Sequence, residues 1–226
     1  MHVETTEGLH YAVALPVHSR TRFILNLLPL LQNATTLRRV VSVFTGTKEG
    51  PVNMTDFQGR KVTDLLSHRG HASSLVTLSL ESLAAKAPTV SFIHNFPGFV
   101  TSGITRGTKG LMMGAFRLIS TLLAPLLSVP TVEVGDRHVF LATSAKYPAG
   151  ESGDMAAGVP LVGGVRVARG ITGEVGAGVY SVDAQGESAD VRVEELLAQF
   201  RKEGLVEEVW KRIVDELVRI TGREAV

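Results

Sequence analysis

The sequence predicts an α/β fold: a three-layer arrangement in which helices flank a short parallel sheet. Three observations predict it. Short β-branched runs alternate with longer segments of helical period. The runs are apolar nearly throughout, as strands buried on both faces are. The chain has 226 residues, 44% of them hydrophobic, and a mean hydropathy of +0.19, so it can bury a core without staples.

Taken in order, residues 16–32 read as a helix, with Phe23, Ile24, Leu27, Leu28 and Leu31 at helical spacing and Pro16 near the start, where a missing N–H costs nothing. Residues 39–45 (RVVSVFT) form the first strand, punctuated by Gly46. Residues 50–70 are polar and irregular. Residues 71–86 (HASSLVTLSLESLAAK) read as the second helix, stopped by Pro88, and residues 90–96 (VSFIHNF) as the second strand, closed by Pro97-Gly98. Residues 110–128 predict a third helical region, and 136–145 a shorter one with Asp136 as its cap. A loop rich in Gly, Ala and Pro follows over 147–164. Residues 176–183 (GAGVYSVD) carry the third strand. Residues 191–221 are helical with a break at Gly204. The whole chain, 1–226, reads as one domain, with 191–221 as a C-terminal helical extension.

Composition excludes several classes. There is no cysteine, hence no disulfide framework, thiolate zinc site or cysteine nucleophile. A net charge of +1 argues against a nucleic-acid binder. The acidic, polar N-terminus is not a signal peptide, so the cytoplasm is the default compartment. The most apolar stretch, 110–134, is interrupted by Arg117, Pro125 and Pro130 and falls short of the ~20 apolar residues of a span. Membrane contact is not expected. His68 and His71 have metal-ligand spacing, but no third ligand joins them, so no metal is expected.

RVVSVFTG, then HASSLVTLSLESLA, then SFIHNFPGFVTSG resembles the second half of a short-chain dehydrogenase/reductase. Pro97-Gly98-Phe99-Val100-Thr101-Ser102 is similar to that family's P-G-x-V-x-T turn, which follows a strand carrying nicotinamide contacts. The turn FPGFV, residues 140–148 (FLATSAKYP) and the strand GVYSVD look most like a fungal branch associated with secondary metabolism. The resemblance covers nearly the whole chain. The family's opening strand and T-G-x-x-x-G-x-G turn, which cradles the dinucleotide pyrophosphate on a helix N-terminus, are not found. About three βαβ units, on the order of a hundred residues, are therefore expected to be lacking, and three strands of the family's sheet to remain, so the resemblance implies a partial Rossmann-like three-layer fold with a short parallel sheet flanked by helices. The family's Tyr and Lys at i, i+4 are not found either: Tyr11, Tyr147 and Tyr180 are followed four residues on by Leu15, Glu151 and Ala184.

The resemblance sets Thr45 where the family has its catalytic serine, and His71 close to the tyrosine position. Thr45 is then the group that polarises a carbonyl. His71 moves the proton, since imidazole needs no lysine partner for that role near neutral pH. Thr47, His94, Asn95, Pro97, Gly98, Val100 and Ser102 are the candidate substrate contacts. His94 and Asn95 point to opposite faces of their strand, so one lines the cleft and the other packs on a helix; for His94 the core is favoured. The expected function is non-redox acid/base chemistry (isomerisation, dehydration or cyclisation) on a hydrophobic carbonyl-containing polyketide or terpenoid, without a cofactor. NAD(P)H enters only if an upstream segment is missing. The alternatives are a non-catalytic dimerisation or binding remnant, and a truncated reading of an NAD(P)H-dependent oxidoreductase. The resemblance implies pairing with itself or a related protein through helices 16–32 and 71–86.

Overall fold

The structure, a computed structural model, describes residues 4–62, 64–100, 128–151 and 158–225. Among them three strands form one parallel sheet: β1 (Arg39–Val43), β2 (Ser91–Asn95) and β3 (Val179–Val182), in the order β1-β2-β3. Val41 stands beside Ile93, and Ile93 beside Tyr180. The α/β class and all three strands are as the sequence predicts.

The helices differ more. The first begins early, with one turn at Tyr11–Val13 and a π-helical stretch at Ala14–Ser19, before α1 (Arg20–Asn33). Pro16 therefore lies inside helical chain, and the wider π register accommodates it. On α1, Ile24, Leu25 and Leu28 are buried, whereas Phe23 and Leu27 are exposed, so the apolar stripe is only partly the core face. The second helix, α2 (Leu65–Lys86), starts two turns before His71, because the Asp64 carboxylate accepts the Ser67 N–H at 2.8 Å and caps it. α3 (Thr131–Thr143) begins after Pro130 rather than at Asp136. The helical region expected at 110–128 lies outside the described residues, except Ser128. Residues 191–221 split as expected into α4 (Val191–Lys202) and α5 (Leu205–Thr221), and Gly204, at φ +71°, makes the corner.

Strand alternation assigns the two sheet faces. Val40, Phe92 and Val179 meet the larger core of α1, α2, α4 and α5. Val41, Ile93, Tyr180 and Val182 meet Leu141 of α3 and Tyr147. α2 is buried along residues 70–80, and α5 packs on it. That explains its composition. A helix enclosed on nearly all sides cannot be amphipathic, so its polar positions are small and bonded: Ser79 to the Val76 carbonyl at 2.7 Å, Ser82 to the Leu78 carbonyl at 3.1 Å. No helix among the described residues is long and apolar enough to cross a membrane.

Candidate functional site

The carboxyl ends of β1, β2 and β3 lie side by side, the place where parallel α/β sheets bind ligands. Gly46 brings them together. A Cβ there would lie 2.2 Å from the His94 carbonyl oxygen and 2.9 Å from that of Val182, so only glycine fits. Beyond it Thr47 adopts φ +66°, the one positive φ of a non-glycine among the described residues. That turn sends Glu49 back beneath the sheet edge.

The Glu49 side chain has no solvent exposure, nor has that of His94. Glu49 Oε1 accepts from Thr77 Oγ1 and from Ser181 Oγ, both at 2.7 Å. His94 Nδ1 stands 2.8 Å from Thr77 Oγ1 and 3.6 Å from Glu49 Oε1. His94 Nε2 accepts the Thr45 N–H at 3.2 Å. These contacts fix one proton arrangement. Because Nε2 accepts, the ring hydrogen is on Nδ1; it points at Thr77, whose own hydroxyl hydrogen goes to Glu49. Burial works against ionising Glu49, but the His94 ring beside it and the hydrogen bonds from Ser181 and Thr77 outweigh it and hold the carboxyl below its ordinary value.

This network grips the loop of the candidate residues. Thr45 is held at its N–H by His94 and at its carbonyl by Ser73 Oγ, 2.6 Å away. The Thr47 N–H donates to Ser181 Oγ at 2.7 Å, and Ser74 Oγ donates to the Gly50 carbonyl at 2.6 Å. These main-chain groups are bonded, while the Thr45 and Thr47 hydroxyls are buried and have no partner.

The other expected site residues divide. His94 is a core histidine, as favoured, and packs on α2. Asn95 faces the opposite side of β2, toward α3. Pro97 lies beside it. Gly98 turns at φ +81° against Ala184, and Val100 bridges Val129. Ser102 lies outside the described residues. His71 is not with them. It sits inside α2 with 2% exposure, Nε2 on the Phe57 carbonyl at 2.9 Å and Nδ1 accepting the Asn53 N–H at 3.2 Å. Both nitrogens are committed to pinning the 53–57 segment, and neither is left for a substrate. The tyrosines provide no substitute acid. Tyr147 donates to the Gly186 carbonyl and Tyr180 to the Pro148 carbonyl, both at 2.6 Å. Burial pushes both phenols up, Tyr180 to about 12. Tyr11 is 44% exposed on the entry helix.

Glu49, Thr77 and Ser181 were not foreseen. The signal was present in the run of small hydroxyl residues on a helix otherwise made of Leu, Val and Ala.

No family model matches the chain. Individual proteins do. It is 41% identical over 210 residues to the oxidoreductase AN1596 of Emericella nidulans, which covers 92% of this chain and 61% of that protein. It is 33% identical over 211 residues to the NmrA-like family domain-containing oxidoreductase notO of an Aspergillus species, covering 92% and 57%. It is 31% identical over 230 residues to the short-chain dehydrogenase/reductase SAT2 of Stachybotrys chartarum, covering 98% and 62%. The chain thus spans roughly three fifths of the length of these relatives. Their names correct one expectation. Oxidoreductase chemistry needs an electron carrier, which in short-chain dehydrogenases/reductases is NAD(P)H, so the cofactor-free assignment does not stand.

Proposed function

We propose that the chain is a member of the short-chain dehydrogenase/reductase-like oxidoreductases of fungi, to which it is similar over most of its length, and that it supplies the substrate side of an NAD(P)H-dependent site acting on a hydrophobic carbonyl or alcohol compound. The observation that carries this reading is the Thr45 hydroxyl. It stands unpartnered at the end of a parallel strand, on a main chain held at both N–H and carbonyl. A pre-positioned hydroxyl of this kind stabilises charge that develops on a carbonyl oxygen.

The described residues fit the reactive end of the cofactor. Thr45 and Thr47 are free to donate, and the Pro97-Gly98 turn lies at the same sheet edge. A nicotinamide bound there would supply or accept hydride. The described residues contain no glycine-rich turn between a strand and a helix that would take its phosphates. Thr45 orients the carbonyl. The His94–Thr77–Glu49 network keeps Thr45 in place. The finer non-redox reading relied on His71 as acid/base, and that ring is engaged at both nitrogens. The reading of a secondary-metabolite substrate rests on the sequence resemblance carried by the FPGFV turn, residues 140–148 and the GVYSVD strand. Pairing with a second copy has in its support an exposed apolar strip on α1 (Phe23, Leu27, Leu30), whereas helix 71–86 is largely covered.

The test is turnover by the protein carrying this chain, followed by nicotinamide absorbance with NADPH and a panel of hydrophobic ketones. Ketone-dependent oxidation is expected, and Thr45→Val should lower it about 100-fold or more with little loss of stability. An unchanged rate in Thr45→Val refutes the role. Solvent deuterium entering substrate with no NADPH consumed refutes the redox assignment.

A further inference from the structure

The two edges of the sheet are finished differently. At β3 the chain covers its own edge: the Val179 carbonyl accepts the Ile171 N–H at 2.9 Å, the Ser181 carbonyl accepts the Ala189 N–H at 2.9 Å, and the Asp183 N–H donates to the Glu187 carbonyl at 3.0 Å. β1 has no such cover among the described residues. At its two ends it meets β2 through the Ser91 N–H on the Arg38 carbonyl and the Phe44 N–H on the Asn95 carbonyl. Alternate residues of a parallel strand bond the same neighbour, so Arg39, Val41 and Val43 turn their N–H and C=O groups outward. Among the described residues only the Val43 carbonyl is met there, by Arg20 Nη1 at 2.6 Å. An open edge of this kind is a template for another strand.

The surroundings of this edge are apolar along the middle and cationic at the ends. A groove of about 380 Å³ runs between α1 and β1, lined by Phe23, Leu27, Leu30, Leu31 and Val40, and by Arg39. Phe23, Leu27 and Leu30 are exposed. At the amino end of β1, Arg39 donates to the carbonyls of Leu141, Ser144 and Tyr147. At the carboxyl end, Arg20 donates to Ser42 Oγ and the Val43 carbonyl. These partners are neutral, and neither guanidinium meets a carboxylate among the described residues, so both positive charges stay uncompensated although burial works against them. Arg39 and Val43 are four residues apart, ~13 Å along a strand.

A second copy does not suit this edge. Antiparallel pairing of two β1 strands about Val41 sets Arg39 of each copy opposite Val43 of the other, where Arg20 already sits, and brings cation against cation. Helix pairing covers the apolar strip of α1 but leaves the outward groups of the strand bare. A basic segment meets the same repulsion as the second copy. A strand that is apolar in its middle and carries a carboxylate at each end answers all three features. Its backbone completes the ladder, its side chains fill the groove, and its charges meet the two guanidiniums.

We propose that the free edge of β1, with the α1 groove beside it, is a docking site for an extended segment of a different polypeptide, apolar in its middle and acidic at both ends. The inference stands on the strand edge and does not rest on the redox reading. The probe is the fluorescently labelled peptide Asp-Val-Ile-Val-Val-Asp. Its controls are the same peptide with lysine at both ends and the same peptide with proline in the middle, which cannot donate to the ladder. Anisotropy titration should show the acidic peptide binding once per chain and each control binding about tenfold more weakly or worse. Hydrogen exchange at the Val41 amide should slow about tenfold or more when the acidic peptide is bound. Arg20→Gln, which removes one cation, and Leu27→Glu, which charges the exposed groove, should each weaken that peptide about tenfold. Arg39→Met should do the same but also frees three carbonyls; if it does not fold, Arg20→Gln and the lysine-ended peptide decide. Equal binding of either control, undiminished binding in Arg20→Gln, or no binding of the acidic peptide up to its solubility overturns the proposal. A Val41 amide already protected in the free chain, or protected merely by raising the protein concentration, means that the edge is covered from within or by a second copy and overturns it as well.

Discussion

Replacing Glu49 by glutamine tests whether the buried carboxylate organises the Thr45 loop. The wild-type oxygen accepts two hydroxyl hydrogen bonds of 2.7 Å, one from Thr77 and one from Ser181. Bonds to a charged acceptor contribute about 1.5–3 kcal/mol and neutral ones about 0.5–1.5, so neutralising the group forfeits roughly 1 kcal/mol at each. The amide NH₂ also replaces Oε2, which has no partner, and so places buried donors where nothing accepts. The carboxyl sits below its ordinary value although burial opposes ionisation, so relief of desolvation does not offset these losses. The net loss is about 2 kcal/mol or somewhat more, and a chain of this size should melt roughly 4–8 °C lower. The pH dependence gives an independent signature. A carboxyl depressed in the folded state stabilises above its unfolded value of 4.5, and that contribution is lost as pH falls through the folded value. Melting curves between pH 7 and 3 should therefore show wild type losing its advantage over Glu49→Gln below about pH 4.5. A variant as stable as wild type at pH 7, or a difference that does not shrink in acid, would mean that Glu49 is buried as the neutral acid and that the proton arrangement derived above is wrong.

Two further outcomes follow from the buried histidines. His71→Ala removes the partners of the Phe57 carbonyl and the Asn53 N–H; it should cost about 2–4 kcal/mol in thermal unfolding, yet turnover per folded molecule should stay within about twofold, since the ring reaches no ligand. Turnover reduced a hundredfold at unchanged melting temperature would restore it as the acid/base. His18 is buried without a partner on either nitrogen, and burial holds its pKa down at about 4, with Glu216 raising it and Arg219 lowering it by smaller amounts. The neutral ring favours the fold, so stability is full above 6.5 and declines as pH falls from 6.5 toward 4, by about 3 kcal/mol for a difference of this size. His18→Leu should flatten that window in acid-denaturation curves, and an unchanged slope would refute the assignment.

The fold was legible because each strand announces itself locally. RVVSV, SFIHN and VYSV are short apolar runs bounded by turn residues, and the sheet needed nothing more. The end of α1 and the break at Gly204 were legible for the same reason. The start of α2 was not: Leu65, Ser67, His68 and Arg69 have no apolar period, and the helix there depends on the Asp64 cap. The site was half legible. Thr45 came from likeness to a family, and the opposed directions of His94 and Asn95 came from strand geometry. Glu49 could not be found locally, because in sequence it is one charge in the loop Thr47-Lys48-Glu49. Its burial depends on Thr77 and Ser181, 28 and 132 residues away. His71 misled for the complementary reason. A histidine near a family position looks available until its ring is seen to close hydrogen bonds across the 53–57 segment.

The two sheet faces give the chain a division of labour that follows from a period of two. His94 and Asn95 are neighbours on β2, and the pleat sends one to each side. In the network around His94 the Ser73, Ser74, Thr77 and Ser181 hydroxyls are all bonded, while one carboxylate oxygen of Glu49 and the Thr45 and Thr47 hydroxyls are left over, and the result is rigidity at Thr45. On the side of Asn95 the neighbours within the sheet face are largely apolar, Ile93, Leu141, Tyr147 and Val182 among them. A one-residue slip of β2 would exchange His94 and Asn95, leaving Thr45 without its anchor and placing an imidazole on the α3 side of the sheet. The register Ser42 beside His94 and His94 beside Ser181 is therefore what the site depends on. It is fixed by Phe92 and Ile93, which occupy the two cores and could not trade places without burying His94 among Leu141, Tyr147 and Tyr180.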